Sequence, residues 1–178
     1  FSKPNKLSYY FSGILLTIFA TIRSRDVGTD SNNYVGIFNS YKYNTESIFS
    51  TTNSLGGGYL LLQKISLEIS NNYWSLFFTI ALVCVFTSYY TINKLSENIK
   101  VSVFIYISLA TYLFLFNGAR QAIAASICGL AIYFLLNKKI IAYCIIILLA
   151  SFFHKTALIM LPFYYFLRFS LPFEDHLL

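Results

Sequence analysis

The sequence has few charged residues. Only 11% of its 178 residues are charged, whereas 57% are hydrophobic and 19% are aromatic, and the mean hydropathy is +0.62. A soluble domain of this size cannot bury that much apolar surface in one core, which excludes an ordinary soluble protein. We therefore expect an all-α, polytopic integral membrane protein, because helices satisfy their own backbone hydrogen bonds in lipid.

The sequence also has few cysteines, and its basic residues do not form a cluster on one face. Cys84, Cys128 and Cys144 lie inside apolar runs without metal-ligand spacing, so we expect them to pack in the interior. The net charge is +6, but the basic residues are spread between apolar runs rather than gathered on one face. This distribution argues against a nucleic-acid partner and indicates roles in membrane topology and in binding anionic lipid.

Apolar runs predict about six transmembrane helices in a single domain that covers residues 1–178. Most runs are shorter than the roughly 20 residues that cross a bilayer comfortably. The predicted spans are 7–22, 73–92, 101–116, 122–136, 140–153 and 157–173. The chain starts at Phe1 and ends without a closing segment after the last run, so we expect a C-terminally truncated chain.

The polar stretch 23–72 predicts an external loop, and the membrane helices fill 73–178. Its second half, 59–69, mixes leucine and isoleucine with polar residues and is too short to span. It predicts an interfacial or re-entrant helix, with Gly56, Gly57 and Gly58 as a flexible connection before it.

Basic residues indicate the orientation. With the N-terminus inside, six lysines lie on the cytoplasmic side and three outside, whereas three of the four arginines lie outside. Three predicted junctions then open on the same side of the membrane. The residues expected to converge there are Arg25, Asp26, Asp30, Arg120, Gln121, His154 and Lys155.

The cations among these residues suggest a binding site for a diphosphate. Arg25 and Arg120 carry planar donor forks that suit phosphate oxygens. Their structural alternatives are a snorkelling Arg25 and an Arg120 that caps a helix end. Lys155 and a partly dry setting favour a neutral His154, which can accept a proton from a sugar hydroxyl. An interface histidine and a snorkelling lysine are the alternatives.

Two carboxylates and several aromatic rings complete the predicted site. Asp26 and Asp30 could orient the histidine, pair with arginine or bind sugar hydroxyls. An Asx-type turn with an Asp-Arg ion pair remains the alternative. Tyr34 and Tyr59 are candidates for binding substrate by stacking on sugar rings, although a membrane-interface belt explains other external aromatic residues equally well.

Four motifs in this order resemble the EpsG family of bacterial surface-polysaccharide polymerases, which are akin to the Wzy O-antigen polymerases. The resemblance covers residues 7 to about 170. Its motifs are Arg25-Asp26-Val27-Gly28-Thr29-Asp30 with Asn33-Tyr34 and Phe38, then Gly58-Tyr59, then Arg120-Gln121 with Ala124 and Ser126, and finally residues 151–159, Ser-Phe-Phe-His-Lys-Thr-Ala-Leu-Ile.

The resemblance implies a membrane glycosyltransferase, with a fold like that of the GT-C enzymes, in the bacterial cytoplasmic membrane. It would join undecaprenyl diphosphate-linked oligosaccharides into O-antigen, capsule or exopolysaccharide at the outer face, without metal or other cofactor. Arg25 and Arg120 would hold the diphosphate, and His154 would deprotonate the acceptor. Chain-length regulators and flippases are the implied protein partners. If the chain ends at Leu178, we expect an incomplete lipid groove and an inactive product. The alternatives are an O-antigen ligase and a transporter or flippase component.

Overall fold

The computed structural model describes residues 6–43 and 56–170, and the regular structure in these ranges is helical, without a strand. The all-α prediction is therefore confirmed for the described residues. In chain order the elements are α1 (Lys6–Thr21), α2 (Ser31–Tyr43), α3 (Gly57–Ile69), α4 (Tyr73–Leu95), α5 (Ile99–Ser108), α6 (Phe114–Asn117), α7 (Ala119–Leu136), α8 (Ile140–Phe153), a 3₁₀ helix (Lys155–Ile159) and α9 (Met160–Ser170).

Two of these helices, α4 and α7, are long and apolar enough to cross a membrane. Three more, Leu7–Thr21, Ile99–Ser108 and Ile140–Phe153, are apolar but shorter. Large apolar side chains such as Phe86 and Ile141 point outward and are mostly exposed. An exposed apolar surface of this kind is consistent with a membrane protein, since lipid can cover it. The sequence predicted six transmembrane helices. In residues 6–43 and 56–170, only these two helices have the length of a complete crossing.

Helix α4 lies at the centre of the bundle, with α1, α3 and α7 packed around it, and α7 packs in turn against α8. Small side chains such as Ala81, Ala119 and Ala122 are buried where these helices meet, which permits close approach of their backbones. Hydrogen bonds inside the bundle reinforce the packing. The Tyr9 hydroxyl donates to the Tyr89 carbonyl, and the hydroxyls of Ser66 and Thr79 bond across α3 and α4.

The predicted span 101–116 is wrong as a single helix. Helix α5 ends at Ser108, and Ala110 adopts a left-handed backbone with φ 59°. The chain turns there, so that Tyr112 becomes buried and its hydroxyl donates to the Leu16 carbonyl over 2.6 Å. An apolar sequence continues through the turn, which is why hydropathy does not reveal it.

The other predicted boundaries are partly met. The last span was expected to begin at 157, whereas a 3₁₀ helix fills 155–159 and α9 begins at Met160. Its expected end at 173 lies outside the described residues. The stretch 23–72 is not simply a loop, because α2 lies within it as well as the expected α3. Residues 44–55 of that stretch lie outside the described part of the chain.

Helices α2 and α3 each bury one side. On α2 the buried residues are Ser31, Tyr34, Val35, Phe38 and Tyr41, and on α3 they are Gly58, Tyr59, Leu62, Gln63 and Ser66. Both sets follow the three- and four-residue spacing of an amphipathic helix. The helix predicted at 59–69 is therefore present, and it packs against α4 and α8.

Candidate functional site

The segment between α1 and α2 is fixed to the junction of α6 and α7. The Thr29 amide donates to Asn117 Oδ1 over 3.0 Å, and the Ser31 hydroxyl donates to the Phe116 carbonyl over 3.1 Å. Gly28 lies against the same carbonyl with φ 95°. A Cβ atom at this position would lie 2.2 Å from that oxygen, so only glycine fits the observed backbone.

The glycine triplet before α3 is packed against the end of α8. Gly56 has φ 82°, and a Cβ atom there would lie 2.8 Å from the Phe152 carbonyl oxygen. At Gly58 the corresponding distance to that oxygen is 3.1 Å, and Phe153 is as close. The expected flexible connection is thus a close contact between two backbones, for which glycine is required because it has no side chain.

His154 lies at the end of α8, directly after this contact. Its backbone is extended, with φ −151° and ψ 122°, and separates α8 from the 3₁₀ helix. The ring atom Nε2 lies 3.3 Å from Nε2 of Gln121, and Nδ1 lies 2.7 Å from the Thr156 hydroxyl. When the Gln121 amide donates, Nε2 of the histidine is the acceptor and the ring proton on Nδ1 is donated to Thr156. In this arrangement Nε2 is the acceptor nitrogen of the ring, and it faces Gln121.

The structure thus brings the three predicted segments to one end of the bundle. Gln121 and His154 are in direct contact there, and Thr156 is a further polar partner that sequence reasoning missed, although it lies only two residues beyond the histidine. Arg120 is half-buried in the first turn of α7, and its charge acts on Tyr59. Lys155 is exposed.

The residues of the Arg25–Asp30 motif lie closer to solvent. Arg25 and Asp26 are exposed, and Asp30 is partly exposed. Hydrogen bonds from Asn32 and from Ser24 hold the pKa of the Asp26 carboxyl below its usual value, with a smaller contribution from the neighbouring Arg25. These contacts correspond to the local-turn interpretation of Asp26.

Asp30 immediately precedes α2. Its backbone carbonyl accepts a hydrogen bond from the Tyr34 amide over 3.0 Å, which starts the helix. A carboxylate at this position also interacts favourably with the positive end of the helix dipole. Asp30 directly follows Thr29, whose amide donates to Asn117, so Asp30 lies at the same end of the bundle as Asn117.

Tyr34 and Tyr59 are buried rather than open to a sugar. Tyr59 has no exposed surface, and its ring centroid lies 5.6 Å from that of Tyr34. Stacking on a sugar requires a free ring face, so this burial does not fit the predicted stacking role of either ring. Burial raises the pKa of Tyr59, opposed by the charges of Arg120 and Arg23, and its hydroxyl is therefore a donor at neutral pH.

Arg23 and Gln63 are two buried polar residues that sequence reasoning missed. The Arg23 guanidinium lies between the rings of Phe77 and Phe116, at 4.0 and 4.5 Å from their centroids. Burial lowers its pKa to about 10, so the group remains charged at neutral pH. Gln63 is fully buried one turn after Tyr59 on α3. The sequence did contain a signal for the burial of Gln63, since its position falls on the apolar side of α3.

No metal site is apparent at this end of the bundle or elsewhere in 6–43 and 56–170, because these residues contain no group of three His, Cys, Asp or Glu side chains placed to hold an ion. At this end of the bundle the described residues offer cations, carboxylates, hydroxyl and amide donors, and a histidine.

Comparison with known proteins identifies a family for this chain. No curated protein and no solved structure matches the chain. The chain does match the EpsG family over residues 6–172, which is nearly its whole length. Membership implies, in general terms, a polysaccharide polymerase-like role, and the apolar helices are consistent with a membrane protein. The protein belongs to the EpsG family.

Proposed function

We propose that this protein polymerises undecaprenyl diphosphate-linked oligosaccharide repeat units at the outer face of the bacterial cytoplasmic membrane. The observation that supports this most directly is His154, held between Gln121 and Thr156 at the end of the bundle where the EpsG-like motifs meet. A base oriented by fixed partners is what transfer to a sugar hydroxyl requires.

The reaction is a displacement at the anomeric carbon of the donor glycan. A hydroxyl oxygen of the acceptor repeat unit attacks this carbon and forms the new glycosidic bond. The bond between that carbon and the lipid diphosphate breaks, and its electron pair leaves with the diphosphate. The acceptor proton passes to Nε2 of His154 after the Gln121 amide, which occupies the lone pair of this atom in the structure, has been displaced by the acceptor hydroxyl. No redox partner and no nucleotide sugar is needed.

Cations in the three segments of the proposed site suit the leaving group. The diphosphate gains negative charge as the bond breaks, so Arg120, Arg25 and Lys155 would stabilise the transition state more than the ground state. Asp30 would orient the acceptor through its hydroxyls. Asp26, whose carboxylate is already bonded to Asn32 and Ser24, would shape the turn that carries Arg25.

The test is polymer formation in the source strain after deletion of the gene. Lipid-linked glycans from the deletion strain are compared on a gel after complementation with the unchanged gene, with His154→Ala and with Lys139→Ala. Lys139 is exposed at the opposite end of α8 and serves as the matched control. Membrane levels of all three proteins are measured by immunoblot.

We expect a full ladder from the unchanged gene and from Lys139→Ala, and single repeat units from His154→Ala at equal protein level. Losses of the order of 10²–10⁴-fold are typical when a general base is removed. A normal ladder from His154→Ala would refute its role as base. Transfer of single repeat units by the unchanged protein, without a ladder, would contradict polymerisation.

A further inference from the structure

A buried polar cluster lies behind the histidine site. It consists of Arg23, in the turn after α1, with Tyr59 and Gln63 on α3, and we call it the Arg23 cluster. Arg23 is 7% exposed, and the other two side chains have no exposed surface. Within the part of the chain that the structure describes, the three guanidinium nitrogens have no hydrogen-bond partner, and the Tyr59 hydroxyl and the Gln63 amide, although they interact with each other, form no hydrogen bond of normal geometry.

Among the described residues, this cluster is rich in donors and has no anion beside it. Arginine carries five N–H donors, the glutamine amide adds two and the tyrosine hydroxyl adds one. The groups that act electrostatically on Arg23 are Tyr112, Tyr59 and Cys84, none of which is negatively charged at neutral pH. A buried charge without a partner is costly, and buried charges in proteins are normally paired.

The two aromatic rings contact the Arg23 guanidinium but do not satisfy its donors. The guanidinium carbon lies 4.0 Å from the Phe77 ring centroid and 4.5 Å from that of Phe116, and the three nitrogens have no acceptor among the described residues. A ligand that approaches in the plane meets the donor fork, which matches two oxygens of a phosphate group. Tyr59 also responds to the charge of Arg120, so it lies within electrostatic range of both arginines.

We propose that the Arg23 cluster is an occluded subsite for the diphosphate group of the lipid-linked substrate. The identity of the ligand rests on the proposed function. Arg23 follows the end of the apolar helix α1 by two residues, so it would lie near the level of the lipid headgroups if α1 enters the bilayer. Tyr59 and Gln63 would donate to oxygens that Arg23 leaves free. The cluster is closed in this structure, so binding requires a movement of α3 or of the turn after α1.

The experiment uses the purified full chain in phosphatidylcholine nanodiscs, with undecaprenyl diphosphate as the ligand. Arg23→Met keeps much of the side-chain volume and removes the charge. Tyr59→Phe and Gln63→Leu each remove donors with little change of shape. Lys64→Gln is the matched control, because Lys64 is the exposed neighbour of Gln63 on α3. Affinity and thermal stability without ligand are both measured.

We expect Arg23→Met to weaken binding at least tenfold while the ligand-free protein keeps or raises its melting temperature, since an uncompensated charge has been removed. Tyr59→Phe and Gln63→Leu should each weaken binding several-fold, and Lys64→Gln should leave it unchanged. A purely structural arginine predicts the opposite pattern, with a lower melting temperature and unchanged affinity. That result would overturn the proposal.

Separate titrations identify the source of the phosphate. Inorganic diphosphate should show the same dependence on Arg23 at lower affinity, and uncharged undecaprenol should not bind at this subsite. If Arg23→Met lost only the binding of phosphatidylglycerol added to the nanodiscs, the cluster would be a site for bulk lipid and the proposal would fail. The polymer assay is independent of these outcomes. A normal ladder from His154→Ala together with Arg23-dependent diphosphate binding would refute the proposed reaction and keep the subsite.

Discussion

Replacing Gly28 with alanine should destabilise the protein strongly, because the added Cβ atom has no space. It would lie 2.2 Å from the Phe116 carbonyl oxygen, 2.9 Å from the carbonyl carbon and 3.2 Å from Asn117 Oδ1. These neighbours are backbone or hydrogen-bonded atoms, so they cannot rotate away. The φ of 95° adds a conformational cost of about 1–3 kcal/mol for a residue with a side chain.

The total effect follows from adding the clash to this conformational cost. Overpacking of a tight contact costs about 1–3 kcal/mol. Together the two terms give about 2–6 kcal/mol, and relief of the clash would break the Thr29–Asn117 and Ser31–Phe116 hydrogen bonds. For a chain of this length about 2–4 °C are lost per kcal/mol, so the melting temperature should fall by at least about 4 °C.

The assay is thermal unfolding in detergent, followed with a thiol-reactive fluorescent dye. Cys84 is buried in the centre of the bundle and becomes reactive when the protein unfolds. Gly36→Ala is the control, because a Cβ atom at Gly36 meets nothing within 4 Å and alanine favours a helix by about 0.5–1 kcal/mol. Equal melting temperatures for the two variants would refute the described contact between the 23–30 segment and α6.

Three further predictions concern the same end of the bundle. Thr156→Val should reduce polymer yield and shift the pH profile of polymer formation, because His154 loses its Nδ1 partner. Thr156→Ser keeps the hydroxyl and should therefore keep the yield and the profile. Identical profiles for the two variants would argue against a positioning role of Thr156. Gly58→Ala should lower polymer yield and melting temperature, measured against Gly129→Ala, which has open space around its added Cβ; equal behaviour would mean that α3 does not approach α8 so closely. Asp26→Asn should be slightly less stable than the unchanged protein at pH 7. Because the folded-state pKa of Asp26 is lowered, this difference should vanish as the pH falls from about 3.8 through the folded pKa, and a difference that does not shrink below pH 3.8 would contradict the assignment.

Part of the predicted site could be read from the sequence. The short apolar run before His154 is a single helix, α8, and Gln121 and His154 are in contact at its end, as expected. This agreement follows from helix length and chain reversal, which hydropathy records well. Burial was predicted less well. The amino-acid type of a polar residue does not show whether it lies at the surface or in a closed cluster.

Arg23 illustrates the difference most clearly. Arg23 and Arg25 are two positions apart and both belong to the outer arginines. Two aromatic rings from distant parts of the chain enclose Arg23, whereas Arg25 is exposed. Helix α2 was overlooked because its composition is polar, although its buried positions 31, 34, 38 and 41 have helical spacing. The turn at Ala110 gives no hydropathy signal, since apolar residues continue on both sides.

The backbone contact between the glycine triplet and the end of α8 joins two parts of the site mechanically. Gly58 begins the helix that carries Tyr59 and Gln63, and it lies directly on Phe152 and Phe153, next to His154 in the chain. With no side chain between the two backbones to absorb a displacement, a shift of α3 is passed on to the loop that carries the histidine. Admission of the donor and alignment of the base would then be one movement, which favours an ordered reaction in which the donor binds before the acceptor.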